Sequence, residues 1–265
     1  MDQDQIEAGA TLSGNVLFYQ TPEPLSFQTH GKLGVNRTDK PYRFVAETNL
    51  VPLTVAEFIT ASLSYPIIFL GEAKVPLAAM GLRQDENLFV NESGDFRVDA
   101  YIPSFVRRYP FVFANDEQTQ RLVLCVDRSA PFVSENADVP FFDGEKPSAY
   151  TETAMQFCSD FETERRRTEQ FVELLKELDL FEVREATYRP ANPDGSPAEP
   201  VKLADYFAVS NEKLNALSPE KLAELRDNGA LPQIYAHLIS LISWDKLVAM
   251  ALEKAAKDQP AAANA

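Results

Sequence analysis

The sequence predicts an α+β fold, with a strand-rich section over about residues 30–130 packed with later helices in a single compact domain. Short apolar runs separated by turn residues dominate the first half, and apolar residues at a helical period dominate the second. The 265-residue chain is 45% hydrophobic and 25% charged, which is the balance of an ordinary globular protein. We expect an extended lead-in at 1–24, one domain at 25–257 and a disordered tail at 258–265.

Two hairpins and two buried strands are predicted before residue 130. Apolar residues at 33–35 and 42–45 flank a polar cluster, and those at 88–90 and 96–98 flank a loop in which Gly94 suits a positive φ.

The continuous apolar runs Ile67–Leu70 and 122–126 are typical of strands buried on both faces. Asn192-Pro193-Asp194-Gly195 indicates a further turn with a small hairpin around it.

The helices carry recognisable start signals. Thr54 and Glu57 have the spacing of a capping box, which predicts a short helix over 55–64. Phe171, Leu174, Leu175 and Leu178 share one helical face.

Ser218 and Pro219 predict the start of another helix, and Gly229 lies where that helix should end. A last helix is expected over about 233–254. It is apolar nearly all round, so either it lies in the core or a second subunit covers it.

Charge and hydropathy limit the classes of binding partner that the protein can have. The formal net charge of -15 disfavours nucleic acid and anionic membranes. The N-terminus has no secretory pattern, and no apolar run reaches the roughly 20 residues of a membrane-spanning helix. We therefore expect a cytoplasmic protein without a transmembrane segment, or one exported without a cleavable signal. Cys125 and Cys158 lie in apolar stretches and are expected to be buried, unpaired thiols.

No catalytic constellation is visible. The two histidines, His30 and His237, have no accompanying ligand pattern, so we predict no metal and no cofactor. Nucleophile-elbow and phosphate-binding glycine motifs are both absent.

The strongest local candidate for binding is Arg107-Arg108-Tyr109, because adjacent guanidinium groups and an aromatic ring can hold a carboxylate. The alternative is that these arginines pair with surface acids. Tyr235 and His237 are the second binding candidates. For His237 the alternative is a core histidine whose hydrogen bonds are satisfied inside the protein.

Several segments, in their order and spacing, resemble the bacterial SapC family over residues 30–250. They are 49–54, Glu57-Phe58, 64–69, 101–103, 107–111, 229–231 and 234–241. The resemblance implies an accessory role linked to the cell envelope, because the family name comes from a surface-layer locus. Similar proteins are often encoded beside TonB-dependent receptors and flavin-dependent halogenase-like proteins. It implies no particular reaction.

Two functional hypotheses follow. The first is a non-enzymatic accessory or binding protein of the SapC type, with a protein partner in envelope or uptake machinery and a homodimer through the C-terminal helix as a further option. The second is an enzyme that modifies a small molecule or peptide at a site near Arg107–Phe111. A concave apolar pocket beside these arginines would favour the enzyme, and a flat exposed rim would count against it.

Overall fold

The computed structural model describes residues 16–116, 121–188 and 199–258, and it confirms the predicted α+β class. The strands, in chain order, are β1 Pro22–Pro24, β2 Leu33–Val35, β3 Leu50–Pro52, β4 Ile67–Leu70, β5 Val75–Ala79, β6 Phe111–Asp116, β7 Arg121–Asp127, β8 Val133–Glu135, β9 Val139–Pro140, β10 Phe142–Asp143, β11 Lys146–Pro147, β12 Phe181–Tyr188 and β13 Val201–Val209.

The α-helices are α1 Phe27–His30, α2 Phe58–Ala61, α3 Ser104–Arg107, α4 Ala149–Glu177, α5 Asn211–Asn215, α6 Pro219–Asp227, α7 Ala230–Ser240 and α8 Ser243–Asp258. Single 3-10 turns lie at Arg43–Val45 and Val55–Glu57. The expected lead-in before residue 16, the turn at Asn192–Gly195 and the tail after 258 lie outside the described residues.

The chain divides into two compact units, each built from two stretches of sequence. The first comprises Met1–Phe44 and Phe105–Thr163, and the second comprises Val45–Ser104 and Glu164–Ala265.

The first unit contains two three-stranded antiparallel sheets. One has the order β1-β7-β6, and its hairpin β6–β7 confirms the strand predicted at 122–126. The other has the order β8-β2-β9. Gly34 is required at its centre, because a Cβ there would lie 2.2 Å from the carbonyl oxygen of Val139. The apolar core of this unit includes Phe111, Val126 and Phe141.

The second unit is organised around one five-stranded antiparallel sheet with the order β12-β13-β4-β5-β3. Its strand β4 is the predicted buried run at Ile67–Leu70. Tyr206, Ala208 and Ile68 form a core cluster on this sheet, with Trp244 and Leu241 packed against it.

Helix signals at three places are confirmed. The Glu57 carboxylate accepts a hydrogen bond from the Thr54 backbone N–H at 2.8 Å, as the capping box requires, although only a 3-10 turn and the short α2 follow. Phe171 and Leu175 are buried on α4. Ser218 Oγ accepts from the Lys221 N–H at the start of α6.

The hairpin predicted at 33–45 is wrong. Both edges of β2 are occupied by β8 and β9, about 100 residues further along the chain, and Arg43–Val45 is a 3-10 turn. The hairpin predicted at 88–98 is reduced to a single bridge between Val90 and Phe96, although Gly94 has the expected positive φ of 77°. Within the stretch expected as an extended lead-in, Pro22–Pro24 forms β1 and pairs with β7.

The single last helix predicted over 233–254 is two helices, α7 and α8. The Ser240 hydroxyl donates to the His237 carbonyl at 2.6 Å. In a regular α-helix this carbonyl would accept a hydrogen bond from the Leu241 N–H. Such side-chain bonds to the preceding turn bend and end helices. By length and composition alone, Ala230–Asp258 is apolar enough to span a membrane. The core helix of a globular protein meets the same criterion. In the structure, 33% of the most apolar 18-residue stretch of this segment is buried.

Candidate functional site

The predicted arginine cluster does not form a flat exposed rim. Arg107 is exposed at the end of α3, and its guanidinium carbon lies 5.2 Å from the ring centre of Phe157. Arg108 points into the first unit, and its side chain is only 5% exposed. Tyr109 is half-buried and stacks on Phe44 with 4.2 Å between ring centres. The two neighbouring arginines therefore do not act as one bidentate pair.

Arg108 is held mainly by aromatic rings. Its guanidinium carbon lies 4.2 Å from the ring centre of Phe105 and 4.4 Å from that of Phe161. The nearest carboxylate oxygen belongs to Glu162, at 3.9 Å from Nη1, which is too far for a hydrogen bond. Nε is buried and has no hydrogen-bond partner among the described residues. Cation–π contacts thus replace most of the usual charge pairing of a buried arginine.

Asp127 is the best-connected acid in the first unit. It accepts backbone N–H bonds from Gln20 at 3.0 Å, Thr21 at 3.1 Å and Ser129 at 3.1 Å, and it also accepts the hydroxyls of Ser129 and Tyr109. Burial alone would raise the pKa of Asp127, but the hydrogen bonds from Ser129, Gln20 and Thr21 outweigh it and hold that pKa below its ordinary value. The carboxylate is an anchor for the chain before β1.

Glu57 in the second unit, like Asp127 in the first, is a carboxylate that accepts several hydrogen bonds from loop residues. Its buried carboxylate accepts from the Thr54 N–H and hydroxyl, both at 2.8 Å, from the Tyr101 hydroxyl at 2.9 Å and from the Ser104 N–H at 2.6 Å. Each oxygen therefore has two donors. An acid saturated in this way ties loops together and is poorly placed to exchange protons with a ligand.

His237 lies between two strands of the five-stranded sheet. β4 and β13 pair directly at Phe69 and Phe207, and the same register would place Ile67 opposite Val209. There the Val209 N–H donates to Nε2 of His237 at 3.0 Å, and Nδ1 donates to the Ile67 carbonyl at 2.9 Å. The ring thus replaces a backbone hydrogen bond of the ladder. Because the Val209 N–H can only donate, Nε2 is the acceptor and the proton is on Nδ1.

The tertiary setting also fixes the charge state of His237. Burial lowers its pKa to about 4, with the hydrogen bond to the Ile67 carbonyl opposing that shift and Arg184 adding to it. Tyr235, the other candidate on α7, is 46% exposed. Tyr235 and His237 belong to the second unit, whereas Arg107, Arg108 and Tyr109 belong to the first. The five predicted binding residues are therefore divided between the two units, three in the first and two in the second.

Both cysteines are free and buried, as predicted. Burial raises the pKa of Cys125 to about 11 and that of Cys158 to about 12. Neither thiol has the lowered pKa of a nucleophile. Within residues 16–116, 121–188 and 199–258, no group of three or more His, Cys, Asp or Glu side chains is arranged to hold a metal ion.

A pocket of about 260 Å³ lies in the second unit, and no sequence motif predicts it. Its apolar wall includes Val55, Phe171 and Leu174, from the turn before α2 and from α4. The turn is fixed to α4 because the Val55 N–H donates to Thr168 Oγ1 at 2.8 Å. The helical period of Phe171 and Leu174 predicts that they share one face of α4, and periodicity alone cannot distinguish a core face from a pocket wall.

The polar part of the same pocket comes from α4 and from the corner between α6 and α7. Arg167 and Gln170 contribute from α4, and Asn228 and Gln233 from either side of the corner at Gly229. Within the part of the chain that the structure describes, Arg167 is the one charged side chain in the lining. Its side chain is 55% exposed and its Nη1 lies 3.7 Å from the Glu164 carboxylate, so the guanidinium remains open to a second anion.

Comparison with known protein families matches the SapC family over residues 25–247. The chain belongs to the SapC family, as the resemblance implied. No curated protein and no solved structure matches the chain.

Proposed function

We propose that this SapC-family protein is a non-enzymatic accessory protein that binds a small carboxylate with a short apolar tail in the pocket of the second unit. The observation that carries the proposal is the lining of the pocket. Among the described residues, the lining combines an apolar wall with a single arginine and contains no acid, histidine or cysteine. Ligand sites in proteins commonly join an apolar surface to a few polar groups that fix the orientation of the ligand.

The volume sets the size of the ligand. About 260 Å³ is slightly below the roughly 300–1,000 Å³ of pockets for drug-sized molecules. A carboxylate can form charge-assisted hydrogen bonds with Arg167 at the rim, while a short hydrocarbon chain covers Phe171 and Leu174. The charge of Arg167 is opposite in sign to the net charge of the protein, so it is a local attraction for an anion.

The hydrogen bonds of the buried titratable groups support binding over catalysis. Asp127 and Glu57 are saturated by donors of their own chain, and His237 is engaged on both ring nitrogens. Arg108, which the enzyme hypothesis needs as a substrate anchor, is enclosed by aromatic rings. A catalytic residue must reach the reacting atoms, and these side chains are committed to the fold.

Membership of the SapC family supports the wider setting of the proposal, which is an accessory role in uptake or modification at the cell envelope. In that setting the bound carboxylate is cargo or a regulatory signal for an envelope partner. Affinity purification of the full chain from its native host tests the setting. A reproducible envelope or uptake component supports it, and a partner set confined to cytoplasmic biosynthesis contradicts it.

Calorimetric titration tests the ligand class directly, with hexanoate, 1-hexanol and hexylamine as probes. Hexanoate should bind most tightly, and Arg167→Gln should weaken hexanoate about tenfold while leaving hexanol unchanged, since only a charge-assisted bond is lost. Arg166→Gln is the matched control, because Arg166 is exposed on the same helix and does not line the pocket. Leu174→Trp should fill the pocket and abolish binding of all three probes. Equal binding of hexylamine and hexanoate, or binding that survives Leu174→Trp, contradicts the proposal.

A further inference from the structure

Among the described residues, one edge of the five-stranded sheet is the eight-residue strand β12. β12 is the terminal strand in the order β12-β13-β4-β5-β3. Val183, Arg184 and Glu185 are exposed, and Val183 is 65% exposed although it is apolar. Edge strands carry a row of unpaired N–H and C=O groups, and proteins usually shorten or cover them. A register shift between Ala186 and Thr187 ends the regular part of this edge.

The direction of the free backbone groups follows from the pairing with β13. The Ser210 N–H donates to the Leu180 carbonyl, and these two residues lie in the register that continues through β12 and β13. Antiparallel pairs alternate between bonded and non-bonded positions. Glu182 and Arg184 therefore direct their backbone groups towards β13, whereas Val183 directs its N–H and C=O outwards. The same direction holds for Phe181 and Glu185, although the Phe181 carbonyl already accepts a hydrogen bond from Lys213 Nζ at 3.0 Å.

The charges along the edge are self-complementary about Val183. Glu182 and Arg184 flank it, share one face of the sheet and already form an ion pair within the strand at 3.3 Å. In an antiparallel pair of two β12 strands centred on Val183, Glu182 of each strand lies opposite Arg184 of the other. Moving the centre by one residue places Glu182 opposite Glu182, or Arg184 opposite Arg184. Like charges directly opposite are destabilising, so the charges select a single register.

We infer that β12 pairs with β12 of a second copy of this chain, antiparallel and centred on Val183, which joins two five-stranded sheets into one. The pairing satisfies the outward backbone groups of Val183 and Glu185 and the outward N–H of Phe181, and it covers the exposed Val183 side chains. Two reciprocal Glu182–Arg184 contacts fix the register. The interface involves one short strand from each copy, so the dimer is weak and depends on protein concentration.

Sedimentation equilibrium over a range of concentrations, with the full chain and with circular dichroism as a check on folding, tests this dimer. Glu182→Arg and Arg184→Glu should each weaken dimerisation about tenfold or more, because each places like charges opposite each other twice. The double variant carrying both changes should restore dimerisation, since it exchanges the charges and keeps their complementarity. Arg226→Glu, at an exposed position on α6, is the control and should change nothing.

A backbone test is independent of charge. Val183→Pro should fold, because proline is tolerated at an edge position whose N–H faces solvent, and it should abolish the dimer. The inference is overturned if the wild type stays monomeric at every concentration or if the charge variants and Val183→Pro dimerise like the wild type. It is also overturned if Ile239→Lys, on the exposed face of α7, abolishes a dimer that the edge variants leave intact.

Discussion

Lowering the pH from 7 to 4 should weaken the fold through His237. In the unfolded chain this histidine takes up a proton near its ordinary pKa of about 6.5, whereas in the folded protein burial lowers the pKa to about 4. The unfolded state therefore binds more protons between these values, and stability falls as the pH falls. The difference of about two and a half pH units corresponds to about 3 kcal/mol, fully present above pH 6.5 and lost progressively towards pH 4.

The structural reason for this loss is specific. Protonation of Nε2 would place an N–H donor against the Val209 N–H, whose hydrogen-bond acceptor among the described residues is that nitrogen. The hydrogen bond from Nδ1 to the Ile67 carbonyl survives protonation. The charged ring therefore loses its hydrogen bond to Val209 of β13 and keeps the one to Ile67 of β4. The ladder between these two strands, in the middle of the five-stranded sheet, is weakened as a result.

Urea unfolding at a series of pH values, for the wild type and for His237→Gln, measures this effect. Glutamine does not titrate, so the two stability curves should diverge by about 1.4 kcal/mol per pH unit between pH 6 and pH 4.5. The many acids of the chain titrate in both proteins and cancel in the difference. Parallel curves would refute the reasoning. If the variant does not fold, the ring resonances of His237 in the wild type should show no titration above pH 5 and a proton on Nδ1.

Three further outcomes follow from the buried groups of the first unit. Asp127→Asn should lower the free energy of unfolding at pH 7 by about 2–3 kcal/mol, because an amide turns a donor towards the N–H groups that the carboxylate accepts; urea unfolding measures this, and an unchanged midpoint contradicts it. Cys125 and Cys158, with pKa values raised by burial, should react slowly with a thiol reagent at pH 8 until denaturant is added, and rapid native labelling would show that they are accessible. Replacing Arg108 by Met together with Glu162 by Gln should leave stability unchanged or raise it by about 1–4 kcal/mol, because the guanidinium is desolvated and its carboxylate partner lies 3.9 Å away, beyond hydrogen-bond distance; a clear loss of stability would contradict this.

The environment of the predicted functional residues could not be inferred from neighbouring residues in the sequence. Arg107, Arg108 and Tyr109 were treated as one cluster because they are adjacent in sequence. In the structure the side chain of Arg107 is exposed and that of Arg108 is buried, because Phe105 and Phe161 enclose the second guanidinium. Neither phenylalanine is marked by the sequence as a partner of an arginine. The contact depends on how α3 and α4 pack within the first unit.

The pocket could not be predicted for a related reason. Arg167 lies in a run of three arginines flanked by glutamates, which is typical of a solvated helix face, and Phe171 belongs to an apolar stripe. Only the corner at Gly229 brings Gln233 opposite α4 and leaves a space between them. A signal existed at that corner, since Gly229 follows the predicted end of α6. It gave the position of a turn and not the geometry of a cavity.

The sequence by itself determined the α+β class, the buried strand at Ile67–Leu70, the strand at 122–126, the start of α6 at Ser218, and membership of the SapC family. Each depends on interactions within a few residues or on the order of segments along the chain. The burial expected along 122–126 is incomplete, because Leu122 is exposed.

Tertiary structure decided the partners of β2, the break at Ser240 and the place of His237 in the ladder. The partners of β2 lie about 100 residues away in the sequence, and His237 is bonded to Val209 and Ile67, which are 28 and 170 positions away. Ser240 Oγ accepts from the Ile67 N–H, 173 positions away, while it donates to the His237 carbonyl of its own helix. In such contacts between separate segments, the free energy of burial and of satisfying backbone groups outweighs local preference.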